Sequence, residues 1–596
     1  MSLSTKHTYK LGVIGNCSYM AHIDDHGDVA WLCWPRFDSS FIFGSLMDKE
    51  RGGEFSIRPE SGEPRTHQYY VRNTNVLCTE IESGDGAYRV TDFAPRFYHY
   101  ERYYKPTMLV RKLERIRGNP RIRIVCRPVG NYGKDTPETQ MGSNHIGYRG
   151  LGKEVRLTTD LPLNFIMEER AFVLAETAYL VLTFGPPFEA PLKDTAEEFL
   201  NRTTRYWRDW VRGANTGYFF QEEVIRSALV LKLHQYDDTG AIIASGTTSL
   251  PEFPESGRTW DYRYCWMRDS YYALAALNNM NHFEELERYA GYIQNIASNV
   301  QDRYYPVYTI TGETGFREKI AALRGYLSNG PVRIGNDACD HVQNDVYGQI
   351  LVALLPLYID KRFPNYHKSI SIDLIAQLLG HIERTMFEPD AGIWEFRTTM
   401  QIHAYTMLFH WAGAAAAEKI AIDFKDDDLR RRAATLRAQA AAQIETCYDA
   451  ERGVYTQAVG SPHLDASNFQ LITMNYLDPG SERTHRHLEI MEQDLVTPEG
   501  LVYRYKNEDD FGRPKVTFFI CAFWYVEALA TVGRIDDAAR VFEQIVPYSN
   551  HLGLFSEDVA SEDGSQWGNF PQTYPHIGLI NAASRIVNKL DRPVFI

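Results

Sequence analysis

Gly392-Ile393-Trp394-Glu395 returns in altered form three times further along the chain, as Gly453-Val454-Tyr455, Gly500-Leu501-Val502-Tyr503 and Gly553-Leu554-Phe555. Each is a glycine followed by apolar and aromatic residues, and each follows a helical stretch. The intervals of 61, 47 and 53 residues are about one helical hairpin plus its loops. Hairpins at such a period build an open solenoid or a closed toroid. Long aromatic loops favour the toroid, with a functional rim. Two of the four loops place a glutamate close behind the glycine, Glu395 and Glu557, 162 residues apart. On one rim they could face each other across a cavity. Two opposed carboxylates are the minimum apparatus for cutting a glycosidic bond, one protonating the leaving oxygen and one activating water. Two solvated loop glutamates are the plainer reading of the same pattern. Trp394 and Phe396 flank Glu395, an apolar setting that could raise a carboxyl pKa.

Working outward, apolar residues at 3.6-residue spacing predict helices over Glu222–Gln235, Tyr271–Asn279, Phe283–Ala297, Val346–Tyr358, Ile372–Met386, Tyr405–Ile422, Leu429–Cys447, Arg483–Asp494, Phe518–Val532, Asp536–Val546 and Ile577–Leu590. An ambiguous turn region near Phe316–Leu323 would make a twelfth. Residues up to about Phe188 read differently. Short apolar or β-branched runs, such as Val29–Trp34, Val76–Glu82, Leu109–Ile116, Ile122–Arg127 and Tyr179–Phe184, are separated by turn signals such as Ser83-Gly84-Asp85-Gly86. Many short strands at this spacing predict antiparallel sheets in a sandwich. Between the two halves, Ala196–Arg212 reads as a charged helix, with Thr195 as N-cap and Glu198 as its capping-box partner. The expected division is a β-sandwich over residues 1–190, a helical linker over 191–219 and a helical domain over 220–596. Two domains suit a chain of 596 residues.

Just ahead of the second predicted helix stands Arg258-Thr259-Trp260-Asp261-Tyr262-Arg263-Tyr264-Cys265-Trp266-Met267-Arg268-Asp269. Aromatic faces stack on sugar rings, and Arg and Asp fork hydrogen bonds to vicinal hydroxyls. A helix start packed by aromatics, with Arg268 and Asp269 as an ordinary ion pair, would also give this composition.

This stretch resembles the arginine–aspartate motif of glycoside hydrolase family 15, the glucoamylases and their relatives. Leu327–Gly348, Gly392–Glu395, and Phe555–Glu557 continuing to Gly568–Gln572 match that family in the same order, and Ile14–Asn16 with Trp31–Asp38 looks like the start of its bacterial members. The resemblance spans nearly the whole chain. It implies an (α/α)6 barrel behind an N-terminal antiparallel β-sandwich, and needs no cofactor or metal. It implies Glu395 as general acid and Glu557 as general base, with the two carboxyls ~6.5–9.5 Å apart as inversion requires. Arg268 and Asp269 match the pair that grips the terminal glucose, and Tyr262, Trp266 and Trp394 match aromatics around it. One departure stands out: bacterial members usually carry a His-Phe-Thr-(Tyr/His)-Ser-Lys type stretch where this chain has Thr398-Thr399-Met400-Gln401-Ile402-His403-Ala404-Tyr405. That alters the aglycone side and leaves the paired glutamates untouched.

The remaining features narrow the class. A net charge of −14 disfavours a nucleic-acid binder and suits a small neutral carbohydrate substrate, and aromatic content of 13% fits a sugar cleft or a large β-rich core. The cysteines Cys17, Cys33, Cys78, Cys126, Cys265, Cys339, Cys447 and Cys521 form no Cys-x-x-Cys pair and read as free, mostly buried thiols. Met1–Leu11 has no apolar h-region and no run is long enough for a membrane span, so a cytoplasmic location is expected. A homo-oligomer is possible. Asp337–His341 has metal-ligand residue types without metal spacing, Asp426–Asp428 reads as a solvated helix start, and His485–His487 as exposed helix surface. The expected activity is inverting exo-hydrolysis of an α-glucoside, releasing β-glucose from a glucan, oligosaccharide or disaccharide. An α,α-trehalase of the same family, an inverting disaccharide phosphorylase and a non-catalytic sugar binder are the alternatives.

Overall fold

The structure is a computed structural model, which describes residues 6–300, 302–363 and 371–590. Part of the N-terminal stretch read for a leader, residues 1–5, lies outside them, as does the end of the last predicted domain, residues 591–596. The first part of the chain is antiparallel sheet. Leu11–Gly15, Met20–Asp24, Val29–Cys33 and Phe41–Phe43 form a four-stranded meander. An eight-stranded sheet runs, in spatial order, Glu138–Met141, His145–Leu151, Lys153–Thr159, Ala178–Phe184, Met108–Gly118, Gly86–Phe93, Leu77–Ser83 and Arg65–Tyr70. A three-stranded sheet of Phe172–Val173, Arg121–Arg127 and Glu54–Pro59 and a two-stranded one of Phe97–His99 and Arg102–Tyr104 also belong to this half.

Strand alternation explains how these layers stack. Leu109 and Leu113, with Leu180 and Leu182, point into the sandwich core beside Ile57 and Ile124. Their neighbours Val110, Tyr179 and Val181 point the other way, onto Phe188 and Ala196. The helix Leu192–Arg212 covers that outer face. It starts four residues before the predicted Ala196. Thr195 is no cap: its N–H already bonds the Pro191 carbonyl. Pro191 has no N–H to satisfy and its ring presets the backbone, so the helix begins directly after it without a side-chain cap.

The meander is buried on both faces. Ile14, Ala21 and Leu32 join the sandwich core, whereas Val13, Met20 and Trp31 join the core of the helical half. Its strands therefore read as continuous apolar runs.

The second half is a double ring of helices. The inner ring contains Met267–Asn279, Val346–Ile359, Ala404–Phe424, the paired turns Ala466–Phe469 and Gln470–Thr473, Phe519–Thr531 and Thr573–Lys589. Outside them lie Gln221–His234, Glu284–Ala297, Ile372–Thr385, Asp427–Glu445, Glu482–Leu495 and Ile535–Ile545. Every residue of Phe519–Thr531 is buried, as an inner helix requires. Ile535–Ile545 buries only Ala538, Val541, Phe542 and Ile545, a single stripe. Inner helices pack closely at Gly348 and Gly413: a Cβ on Gly348 would lie 1.9 Å from the Phe409 carbonyl oxygen. This is the (α/α)6 arrangement.

The eleven predicted helices are present, but the ambiguous region is not the twelfth. Lys319–Ala321 there is a strand paired with Val332–Ile334. The missing inner member is Ala466–Thr473, only two short turns, below the length at which apolar periodicity shows. His487 corrects another expectation. It is fully buried, with Nδ1 accepting from the Tyr455 N–H at 3.2 Å. It lies on the buried stripe of its helix with Thr484, Leu488 and Met491. Asp426 caps its helix through Leu429 N at 2.9 Å, and Asp337–Asp340 is a 3-10 turn capped by Asn336. All eight cysteines are unpaired and buried.

Candidate active site

Inner helices present their first turns to one end of the ring, and the Gly–aromatic loops rim that end. Arg268 and Asp269 lie in the first turn of Met267–Asn279, Phe518 immediately precedes Phe519–Thr531, and Tyr574 opens Thr573–Lys589. These residues line one pocket together with Tyr262, Trp266, Trp394, Glu395 and Glu557. All seven residues expected at the site are therefore brought together.

The Glu395 carboxylate is held by polar donors. Its Oε1 accepts from Trp266 Nε1 at 2.7 Å and from Arg268 Nη2 at 3.2 Å. Phe396 instead packs against Tyr505 and His403. Glu395 adopts φ +63°, a left-handed conformation that costs a non-glycine residue roughly 1–2 kcal/mol. The turn holds it there: Glu395 N–H bonds the Gly392 carbonyl at 3.2 Å and Phe396 N–H the Ala391 carbonyl at 3.0 Å. Gly392, at φ +66°, is required, because a Cβ there would meet the His403 ring at 2.7 Å. Trp394 is fixed from behind, its Nε1 donating to Asp465 at 2.8 Å.

Arg268 is the hub. Besides Glu395 it reaches Tyr574 OH through Nε at 2.6 Å and Gln343 through Nη1 at 3.0 Å. Asp269 is buried beside it, 3.9 Å from Nε, and its Oδ2 has no hydrogen-bond partner. Burial pushes the Asp269 carboxyl up to about 7, against the pull of Arg268. A buried carboxylate oxygen without a donor suits a ligand hydroxyl.

Glu557 accepts from Tyr262 OH at 2.9 Å and from Asn569 N–H at 3.4 Å. Burial raises its pKa most, the charge of Glu252 raises it further, and Tyr262, Arg504 and the Asn569 N–H oppose the rise. Arg504 lines this pocket and is hydrogen-bonded to Glu252.

A second pocket adjoins the first and shares Tyr262, Trp394, Glu395 and Arg504 with it. Its far wall holds Trp260, Arg397, Asp510 and Phe511. Arg397 stacks over Trp260 at 4.9 Å and over Phe511 at 5.1 Å, while its N–H bonds Asp510 at 2.6 Å. The divergent stretch contributes Thr398, whose N–H also bonds Asp510, at 3.1 Å. His341, from the acidic turn, lines the same wall. Among the described residues no cluster of three His, Cys, Asp or Glu side chains has metal-ligand geometry.

Sequence reasoning missed Arg504, Tyr574, Gln343 and the whole outer wall. The repeat held part of the signal. Counted from the glycine, Gln457, Arg504 and Glu557 all stand four residues on, and Glu395 stands three. Arg504 lines both pockets, and Gln457 donates to the Asp465 carboxylate that holds Trp394.

Residues 219–584 match the sequence model of Glycosyl hydrolases family 15, and residues 4–157 match that of the Trehalase-like, N-terminal family. The chain belongs to glycosyl hydrolase family 15. It is a glycoside hydrolase acting on carbohydrate. Among curated relatives, a trehalase of Thermoplasma volcanium is 29% identical over 592 residues, covering 97% of this chain and 93% of its own. A trehalase of Mycobacterium tuberculosis is 28% identical over 604 residues, covering 95% and 87%. A solved bacterial glucoamylase complexed with acarbose superposes over 99% of this chain and 96% of its own, with a TM-score of 0.69 at 15% identity. That last likeness is one of fold. No described helix is long and apolar enough to cross a membrane.

Proposed function

We propose that this family 15 hydrolase is an inverting α,α-trehalase. The observation that carries the reading is the outer pocket, whose wall is as rich in charged and polar groups as the inner one. Both halves of an α-1,1-linked disaccharide are non-reducing pyranoses that offer only hydroxyls and an apolar ring face. Such a substrate needs two polar, aromatic-backed compartments that meet at the scissile oxygen. Glu395 lines both pockets, which supports its role as the acid that protonates that oxygen. Full-length similarity to proteins named trehalase supports the same choice.

In this mechanism Arg268 and Asp269 hold hydroxyls of the inner glucose, with Tyr262, Trp266 and Trp394 against its ring. Glu395 gives its proton to the bridging oxygen as the C1–O bond breaks. Glu557 takes a proton from water, whose oxygen attacks C1 from the opposite face. Proton exchange with solvent then restores both carboxyls. The attacked ring leaves as β-glucose. The departing ring keeps its own anomeric bond and leaves as α-glucose.

Proton NMR in the first minutes after mixing with trehalose tests this. Equal amounts of α- and β-glucose are expected. Two α-glucoses would exclude inversion. Faster consumption of maltose or isomaltose than of trehalose would favour the broader exo-glucosidase reading. Turnover that requires phosphate and yields glucose 1-phosphate would mark a phosphorylase, and binding without turnover a sugar binder.

A further inference from the structure

A second space in the barrel lies away from the candidate active site. A cavity of ≈540 Å³ opens at the other end of the ring, where the inner helices finish. Asn279 and Thr473 there are the last residues of their helices, as is Lys589 of Thr573–Lys589. Tyr272 separates the two ends. It lines the rear cavity, yet its OH meets Tyr405 OH at 3.0 Å and its ring lies 6.0 Å from Tyr574, the partner of Arg268.

The wall of this cavity is basic in a protein of net charge −14. Lys419, Arg585 and Lys589 line it, with Glu527 as its one carboxylate. Arg585 is engaged, donating to the Thr473 carbonyl at 3.2 Å and lying 3.7 Å from Glu527. Burial pushes the Glu527 carboxyl up to about 7, against the pull of Arg585. Cations at helix C-termini usually answer the dipole or cap carbonyls. Arg585 does so, but Lys419 and Lys589 make no ion pair or hydrogen bond with the described residues. The same wall carries Trp411 and the side-chain amides of Gln470 and Asn581, and the Asn581 Oδ1 is buried without a partner. Two free ammonium groups suit an oxyanion. An aromatic face with amide groups suits a pyranose.

We infer that the rear cavity is a second ligand site, which takes a phosphorylated hexose with its phosphate between Lys419 and Lys589. This site does not depend on which disaccharide the front site hydrolyses. Calorimetric titration of the full chain with glucose 6-phosphate, glucose and inorganic phosphate, together with a crystal soaked in glucose 6-phosphate, tests it. Glucose 6-phosphate should bind about tenfold or more tighter than glucose, since each charge-assisted bond adds about that factor or more, and tighter than inorganic phosphate, which lacks the sugar's contacts with Trp411 and the amides. The double variant Lys419→Gln/Lys589→Gln should lose at least that factor while keeping its melting temperature and hydrolytic rate. Phosphate density should lie beside Lys419 and Lys589. The inference is overturned by no binding, by equal binding of inorganic phosphate, by a double variant that binds like the parent, or by density beside Arg268 and Asp269.

Discussion

At the residue scale the site is a set of charges whose partners decide their protonation. Asp269 lines the pocket and has a buried carboxylate oxygen without a partner, and Arg268 is spread over three partners. Asp269→Asn should lower kcat/KM roughly 30-fold or more, since a polar grip lost from a desolvated pocket costs about 2–4 kcal/mol. Near-normal hydrolysis by that variant would remove Asp269 from the substrate site. Glu557 yields a prediction with a sign. As base it must be ionised, and its pKa lies above the ordinary carboxylate range through burial and Glu252. The acid limb of kcat/KM should therefore lie above that range, with activity lost as pH falls through it. Tyr262 donates to Glu557 and favours its charged form. Tyr262→Phe should move the acid limb to still higher pH, and a pH–rate profile of the two proteins checks it. An unmoved limb would mean that another group sets it.

Elements explain what the sequence disclosed and what it hid. Gly392-Ile393-Trp394-Glu395 was legible because a glycine at φ +66° must be a glycine, and aromatics behind it mark a rim loop. The Arg268–Asp269 pair was legible through the stretch that holds it, whose mixture of aromatics, arginines and aspartates resembles the family motif. Arg397, Asp510 and Trp260 meet only in space, from three loops, and no spacing rule connects them. Ala466–Thr473 escaped notice because two short turns carry no apolar period, yet the residue before it anchors the acid loop. Asp465 takes Trp394 Nε1 and Gln457 Nε2 on one oxygen and Ser467 N–H on the other. Asp465→Ala leaves three buried donors unpaired, each worth ~1–3 kcal/mol. That variant should melt at a clearly lower temperature and lose kcat more than it gains in KM, because Trp394 and Glu395 share one loop. Unchanged kcat with lowered stability would limit Asp465 to a structural part.

On the scale of the whole molecule, the meander ties the two halves through the loop that forms the site. Trp31 is buried in the barrel core and donates to the Gly246 carbonyl at 2.9 Å. Asn550, in the turn ahead of Glu557, donates to the carbonyls of Tyr9 and Leu11 at 2.8 Å each. Arg263, five residues before Arg268, is fully buried with Asp261 at 2.7 Å, and it reaches out of the barrel to the Ser39 carbonyl at 2.8 Å and to Tyr132 OH at 3.2 Å. The sheet half therefore supplies bonds that hold the Arg–Asp motif in place. Arg263→Leu would leave Asp261 buried without its cation, a loss of roughly 3–5 kcal/mol when one partner of such a pair is removed. Asp261 also accepts from Gly335 N–H at 3.1 Å, so the loop leading to Gln343 would loosen too. The expected outcome is one cooperative thermal transition in the parent protein, shifted down by several degrees in Arg263→Leu, with kcat/KM reduced although Arg263 does not line the pocket. Asp261→Asn/Arg263→Leu removes both charges and should recover part of that stability. Differential scanning calorimetry alongside hydrolysis rates decides the matter. Two separate transitions, or a single variant with unchanged melting and rate, would show that the sheet half and the barrel act independently.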